Sequence, residues 1–359
     1  MPTAYLNGPI FDGLTLHHNK ALLIADDETF VGIVSDDEVP EEYSIVDLNG
    51  QYISPGLIDI QIYGGNGKMF SDEPTVETIE HTYEYCKAGG ATHFLITLAT
   101  NDVKIFYEGF KAVHAYWQKG GKGLLGLHLE GPYLNPAKRG AHILEYIKKP
   151  TIEEVLSLLE AGGKAFRMMT LAPECFDFTI VELLQKNGVL VSLGHSNASY
   201  EEATQAFNNG IPVGTHLFNA MSGLQHRAPG VVGALFDHPT VKCSLVCDGI
   251  HVDFAAARVA KKIMGDRLFY ITDAVTHAEE GSYKHLFKGD HYALPDGTLS
   301  GSALTMLQSV ENGIKHLNIS IEESLRMATS YPASLFNKAG LGRFEKGVKS
   351  ELVKFDLSA

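Results

Sequence analysis

Apolar and polar positions follow two different rhythms along this chain. In the first fifty residues the apolar runs are short. ALLIA and FVGIV flank the polar turn Asp26-Asp27-Glu28-Thr29, a pattern of paired strands, and SIVDLNGQYI continues it. No helical period appears before residue 74. After Pro55 the rhythm becomes strand, then helix, repeated. Strand-like runs fall near 56–61, 92–97, 124–130, 166–172, 188–194, 211–216, 243–247 and 268–273. Amphipathic stretches such as VETIEHTYEYCKAG, TIEEVLSLLEAG and DFTIVELLQKNG separate them, and several close on glycine, as helices do. Eight strands with intervening helices over roughly 280 residues predict an α/β fold, a (β/α)8 barrel of the TIM type. A doubly wound open sheet is the alternative. Helical patterns around 303–316 and 320–329 follow, and LGRFEKGVKSELVKFDLSA turns β-like again. Chain ends often meet in space, so the expected division is a small β-sandwich domain from 1–53 plus 334–359, and a catalytic barrel domain over 54–333.

Four of the apolar runs end on a residue able to bind a metal or move a proton. LLGLHLE ends at Glu130, VLVSLGH at His195, IPVGTH at His216 and RLFYITD at Asp273. A parallel sheet delivers such residues together at its C-terminal rim, where α/β proteins place their chemistry.

Composition narrows the function. The chain has 359 residues, of which 45% are hydrophobic, enough to build a full core. A formal net charge of −14 argues against a nucleic-acid ligand, which needs clustered Lys and Arg. A local basic pocket for a small anion remains compatible with it. No apolar run approaches membrane-spanning length, and MPTAYLNGPIFDG lacks the basic start and apolar stretch of a secretory leader. The four cysteines form no CxxC pair. They read as buried small hydrophobes, so a cytoplasmic location is expected.

One carboxylate and two imidazoles make a ligand set suited to catalytic zinc, which keeps a position open. His195 and His216 are too far apart in sequence for one helix face, so neighbouring strands must deliver them. Any one of the three alone is commonly a hydrogen-bonded core residue; their convergence with an acid is what points to chemistry. Asp273 follows a strand expected to be buried on both faces, where an unpaired carboxylate is costly. Proton transfer at a metal site would give it a partner, and helix N-capping is the bland alternative.

HLEGPYLN (128–135), GHSNA (194–198), THLFNAM (215–221), DGIHVD (248–253), TDA (272–274) and SGSALTM (300–306) occur in order between PGLID (55–59) and ATSYPA (328–333). This series resembles the N-acetylglucosamine-6-phosphate deacetylase branch of the amidohydrolase superfamily. The resemblance implies metal ligation by Glu130, His195 and His216, Asp273 as catalytic acid and base, and His142 directed at the acetyl carbonyl. It implies sugar contacts from Ala141, Asn219, Ala220, Leu299, Ser300 and Gly301. Phosphate would be held by Arg227 and by His251, the latter across a homodimer interface. A planar, permanently charged guanidinium at Arg227 suits phosphate oxygens. His142 follows a Gly-containing loop and is expected to be exposed. The branch implies hydrolysis of the N-acetyl group of a small amino-sugar phosphate, with no nucleic-acid or membrane partner. The galactosamine epimer as substrate and a non-catalytic sugar-phosphate sensor are the alternatives.

The chain departs from the superfamily at one place. Many amidohydrolases end the first barrel strand with His-x-His, which holds a second metal. Here GLIDIQIYGG puts Gln61 and Tyr63 there, both poor zinc ligands. The expectation is one divalent metal per chain, zinc first, with Fe, Co or Mn compatible. Gln61 is then free to hydrogen-bond water or a ligand.

Overall fold

The computed structural model describes residues 1–357; the last two residues of the expected β-sandwich segment lie outside them. Eight parallel strands form the central sheet: β1 (Leu57–Ile62), β2 (Ala91–Ala99), β3 (Leu124–Glu130), β4 (Phe166–Leu171), β5 (Leu190–Leu193), β6 (Val213–Gly214), β7 (Lys242–Val246) and β8 (Leu268–Ile271). Each pairs with the next in sequence order. The sheet closes where Tyr63 N donates to Ala274 O (3.0 Å) and Asp273 N to Gln61 O (3.0 Å). It is a closed barrel, not a doubly wound open sheet.

Two apolar layers explain the continuous runs in the sequence. Ile58, Ile60, Leu95, Met168, Val213 and Phe269 pack inside the barrel, while a larger cluster that includes Phe94, Leu127, Val191 and Leu268 fills the space beneath the helices. Strands buried on both faces lose the alternation of half-exposed ones. The outer helices start on side-chain caps. Thr75 accepts from Thr78 N ahead of helix Val76–Ala88, and Thr151 from Glu154 N ahead of Ile152–Gly162.

β1 carries a bulge that matters for the site. Phe94 of β2 pairs with Asp59, but Ile96 pairs with Ile62, so β1 accommodates one extra residue. Asp59 stays on the helix side, beside Tyr85, Cys86 and Met306, whereas Gln61 reaches the rim.

Both chain ends build two four-stranded sheets. One runs Phe30–Val34, Ala21–Ile24, Thr3–Leu6, Ser44–Asp47; the other Leu352–Phe355, Tyr52–Pro55, Ile10–Phe11, Leu16–His17. Ile10, Leu22, Ile24, Leu48, Ile53 and Phe344 form their shared core. Tyr52–Pro55 then leads through Gly56 straight into β1. A side chain at Gly56 has no room, since its Cβ would fall 1.7 Å from Thr92 Oγ1.

Candidate metal centre and substrate cavity

The β3 strand ends on Glu130, and His195, His216 and Asp273 each follow their strand by two residues. All three of the latter have left-handed backbones, with φ of 48°, 40° and 55°. Non-glycine residues adopt this conformation at a cost, and they do so where the surrounding structure enforces it. Around His195 that enforcement is Glu174, which accepts from Ser196 Oγ (2.8 Å) and Asn197 N (2.8 Å). At His216 it is Ser244 Oγ, which accepts from the backbone N–H (2.8 Å).

The turns aim three side chains at one point. His216 Nε2 lies 2.9 Å and His195 Nε2 3.2 Å from Glu130 Oε1, and the two ring nitrogens are 3.1 Å apart. The His195 Nδ1–H donates to Lys138 O (2.8 Å), which leaves its Nε2 as a bare lone pair facing the other ligands. One carboxylate oxygen and two buried imidazole nitrogens, all within 4.8 Å of one another, fit a divalent transition metal, which would relieve the crowding of acceptors.

Gln61 occupies the ground between the acids. Its Nε2 lies 2.8 Å from Asp273 Oδ1, 3.1 Å from Glu130 Oε1 and 2.8 Å from the Tyr63 hydroxyl. Gln61 thus bridges two carboxylates within the protein. Tyr63 in turn donates to Glu130 Oε2. Burial, followed by the charge of Glu130, pushes its hydroxyl well above the usual range, so it stays a donor. For Asp273, burial is the largest influence and raises the pKa; His216 opposes it and Glu130 reinforces it.

His142 is buried at 4% exposure, against the expectation of an exposed loop residue. Its Nδ1 accepts from Thr100 N (3.3 Å), so Nε2 carries the proton and points to Glu130 Oε2 (3.1 Å). The loop that brings it in passes closely over His195, where a Cβ on Gly140 would sit 3.3 Å from the ring.

These groups floor a cavity. Ala141, Asn219, Ala220, Leu299, Ser300 and Gly301 line it together with the acid and imidazole groups. His251 lines it too, held by Asp248 (Nδ1 to Oδ2 2.6 Å), with Nε2 4.0 Å from Asp273 Oδ2. His251 therefore serves the cavity of its own chain, which corrects the expectation that it crosses to a partner. Arg227 does not line this cavity. It is exposed, on the loop before helix Gly230–Asp237.

Sequence reasoning missed a flap over the cavity, residues 276–302, whose strands Leu286–Phe287, His291–Ala293 and Leu299–Ser302 form a small sheet. Tyr283 and His285 enter the cavity from it. The Tyr283 hydroxyl donates to Thr100 O (2.5 Å), and His285 Nδ1 meets Ser300 Oγ at 3.0 Å. Burial drops the His285 pKa to about 4. The signal was the alternation of SYKHLF, where Tyr283 and His285 are buried and Ser282 and Lys284 exposed.

Residues 52–359 match the Amidohydrolase family. An N-acetylglucosamine-6-phosphate deacetylase of Haemophilus influenzae is 34% identical over 99% of this chain and 95% of its own. An N-acetylgalactosamine-6-phosphate deacetylase of Shewanella sp. (strain ANA-3) is 34% identical over 84% of this chain and 78% of its own. The crystal structure of N-acetylglucosamine-6-phosphate deacetylase from Pasteurella multocida superposes with a TM-score of 0.93 at 34% identity, covering 99% of this chain and 95% of that one.

Proposed function

The chain belongs to the amidohydrolase family, and from that premise we propose that it hydrolyses the N-acetyl group of N-acetylglucosamine 6-phosphate, releasing glucosamine 6-phosphate and acetate. The observation that carries the reading is the convergence of Glu130, His195 and His216 beside Asp273 at the floor of one cavity. Glu130, His195 and His216 would hold one divalent ion, with zinc favoured by the ligand set. Such an ion supplies Lewis acidity and makes water a nucleophile near neutral pH.

The protein's own groups do the rest. Asp273 takes a proton from the attacking water, then returns it to the departing amine, which is too basic to leave without it. The Nε2–H of His142, which lies against Glu130 Oε2, turns to donate to the acetyl oxygen as charge develops there. The Ala141 loop, Asn219, Ala220 and the Leu299–Gly301 segment orient the sugar. His251 and Arg227 anchor the phosphate, so that binding far from the breaking bond positions it.

The last pair supports reading the enzyme as a homodimer. Arg227 stands outside the cavity of its own chain, so a second copy is the means by which it reaches a phosphate. We place the enzyme in the cytoplasm. All four cysteines are unpaired, and among the described residues no helix is long and apolar enough to cross a membrane.

Acetate release from N-acetylglucosamine 6-phosphate, with and without a chelator, tests the reading; a metal-loaded protein that releases none overturns it. The Shewanella relative, 34% identical over 84% of this chain, supports one second reading, the galactosamine epimer. Comparison of kcat/KM on the two sugar phosphates decides between them.

A further inference from the structure

Asp59 is a buried carboxylate that the chemistry above does not use. It is 1% exposed and no salt bridge reaches it among the described residues. Every side-chain hydrogen bond it makes is from a donor. Oδ1 accepts from Gln61 N (3.2 Å) and Thr272 N (3.2 Å), and Oδ2 accepts from the Thr272 hydroxyl (2.5 Å). An isolated buried acid is costly, and a packed apolar side chain would serve the fold better unless its acceptors were needed.

The place it occupies shows the need. Asp59 sits at the bulge of β1, opposite the end of β8, where the barrel closes. The two strands meet through the Ile62–Ala274 bridge and not through a continuous ladder. Directly after Thr272 comes Asp273, with its left-handed backbone. Clamping Thr272 N and Oγ1 fixes that turn from behind. The same hydroxyl accepts from Ala274 N (3.2 Å), and Ser302 Oγ donates to Thr272 O (2.5 Å), so the turn is tied on both sides of Asp273. Oδ1 also holds the backbone of Gln61, whose side chain meets the Asp273 carboxylate.

We propose that Asp59 is a positioning residue, which sets the aim of Asp273 by clamping Thr272 and Gln61 across the closing seam of the barrel. The proposal rests on Asp273 being the proton-transfer group of the deacetylation. It assigns no contact between Asp59 and substrate.

The test compares Asp59→Asn, Thr272→Val and Thr272→Ser in the full-length, metal-loaded protein, with wild type and Asp273→Asn as controls. Wild-type acetate release is read first, so failure of the activity itself appears there and not in the variants. Asp59→Asn and Thr272→Val should each lower kcat about 10- to 100-fold, with KM and metal content within about threefold of wild type, as expected for a small misplacement of one reacting group. Thr272→Ser keeps the hydroxyl and should restore most of kcat. A purely structural role would lower Tm and leave kcat alone. Thr272→Val that is folded, metal-loaded and turns over like wild type overturns the proposal, as does a loss that Thr272→Ser fails to restore. If Asp59→Asn does not fold, the two Thr272 variants decide alone.

Discussion

Gln61 donates to Asp273 across the seam between the first and last barrel strands, Nε2 to Oδ1 at 2.8 Å, and the same amide reaches Glu130 Oε1 at 3.1 Å. Two buried acids are thereby linked by a neutral group at the end of the first barrel strand. The double substitution Gln61→His, Tyr63→His replaces this bridge with two ligands. Metal analysis should then rise from one ion per chain to two; a count that stays at one would show that more than these two side chains excludes the second ion.

Asp273→Asn keeps the shape of the side chain and its contact with the Gln61 amide through the remaining oxygen. It should fold and retain metal yet lose about 10²- to 10⁴-fold in kcat, the range for removing a general base. Near-normal turnover would take Asp273 out of the chemistry.

Arg227→Ala is expected to raise KM for the phosphorylated sugar far more than for its unphosphorylated analogue. Because Arg227 is exposed and outside its own cavity, stability should hardly change. Equal losses on both sugars would remove it from phosphate binding. Sedimentation should show a dimer in the wild type.

Removing the metal should destabilise the fold as well as stop turnover. An ion present at a thousandfold excess over its Kd adds about 4 kcal/mol to the folded state. Chelation should therefore lower Tm, with zinc restoring it. In Glu130→Gln that metal-dependent shift should shrink or vanish; an undiminished shift would place the ion elsewhere.

His285 provides a pH test. Burial depresses its pKa from the ordinary 6.5 to about 4. Between those values the unfolded chain takes up a proton that the folded chain refuses, so stability falls as pH drops through that window. Above 6.5 the contribution is complete. His285→Gln should lose less Tm than wild type between pH 7 and 4.5; equal losses would show that the ring charges without penalty.

The barrel was legible because its strands are buried on both faces, so their apolar runs stand out, and because Glu130, His195, His216 and Asp273 terminate those runs. What stayed hidden depends on contacts between distant segments. The bulge that separates Asp59 from Gln61 comes from the register against β2, which no local pattern in LIDIQI reveals. The burial of His142 depends on Thr100 and Glu130, both far from it in the chain. The flap that delivers Tyr283 and His285 shows only a brief alternation within a polar, glycine-containing stretch. The opposite placements of His251 and Arg227 follow from loop geometry, since both sit in polar segments of similar character.

The strand Leu352–Phe355 lies antiparallel to Tyr52–Pro55, and Gly56 N donates to Glu351 O (2.8 Å). During translation the three earlier strands of this sheet must therefore wait with a bare edge until residue 355 has cleared the ribosome. Throughout that interval the segment feeding β1 offers unpaired N–H and C=O groups to any passing strand. The nascent chain's demand for a chaperone should be concentrated on that edge, and end only when Leu352–Phe355 has paired with it.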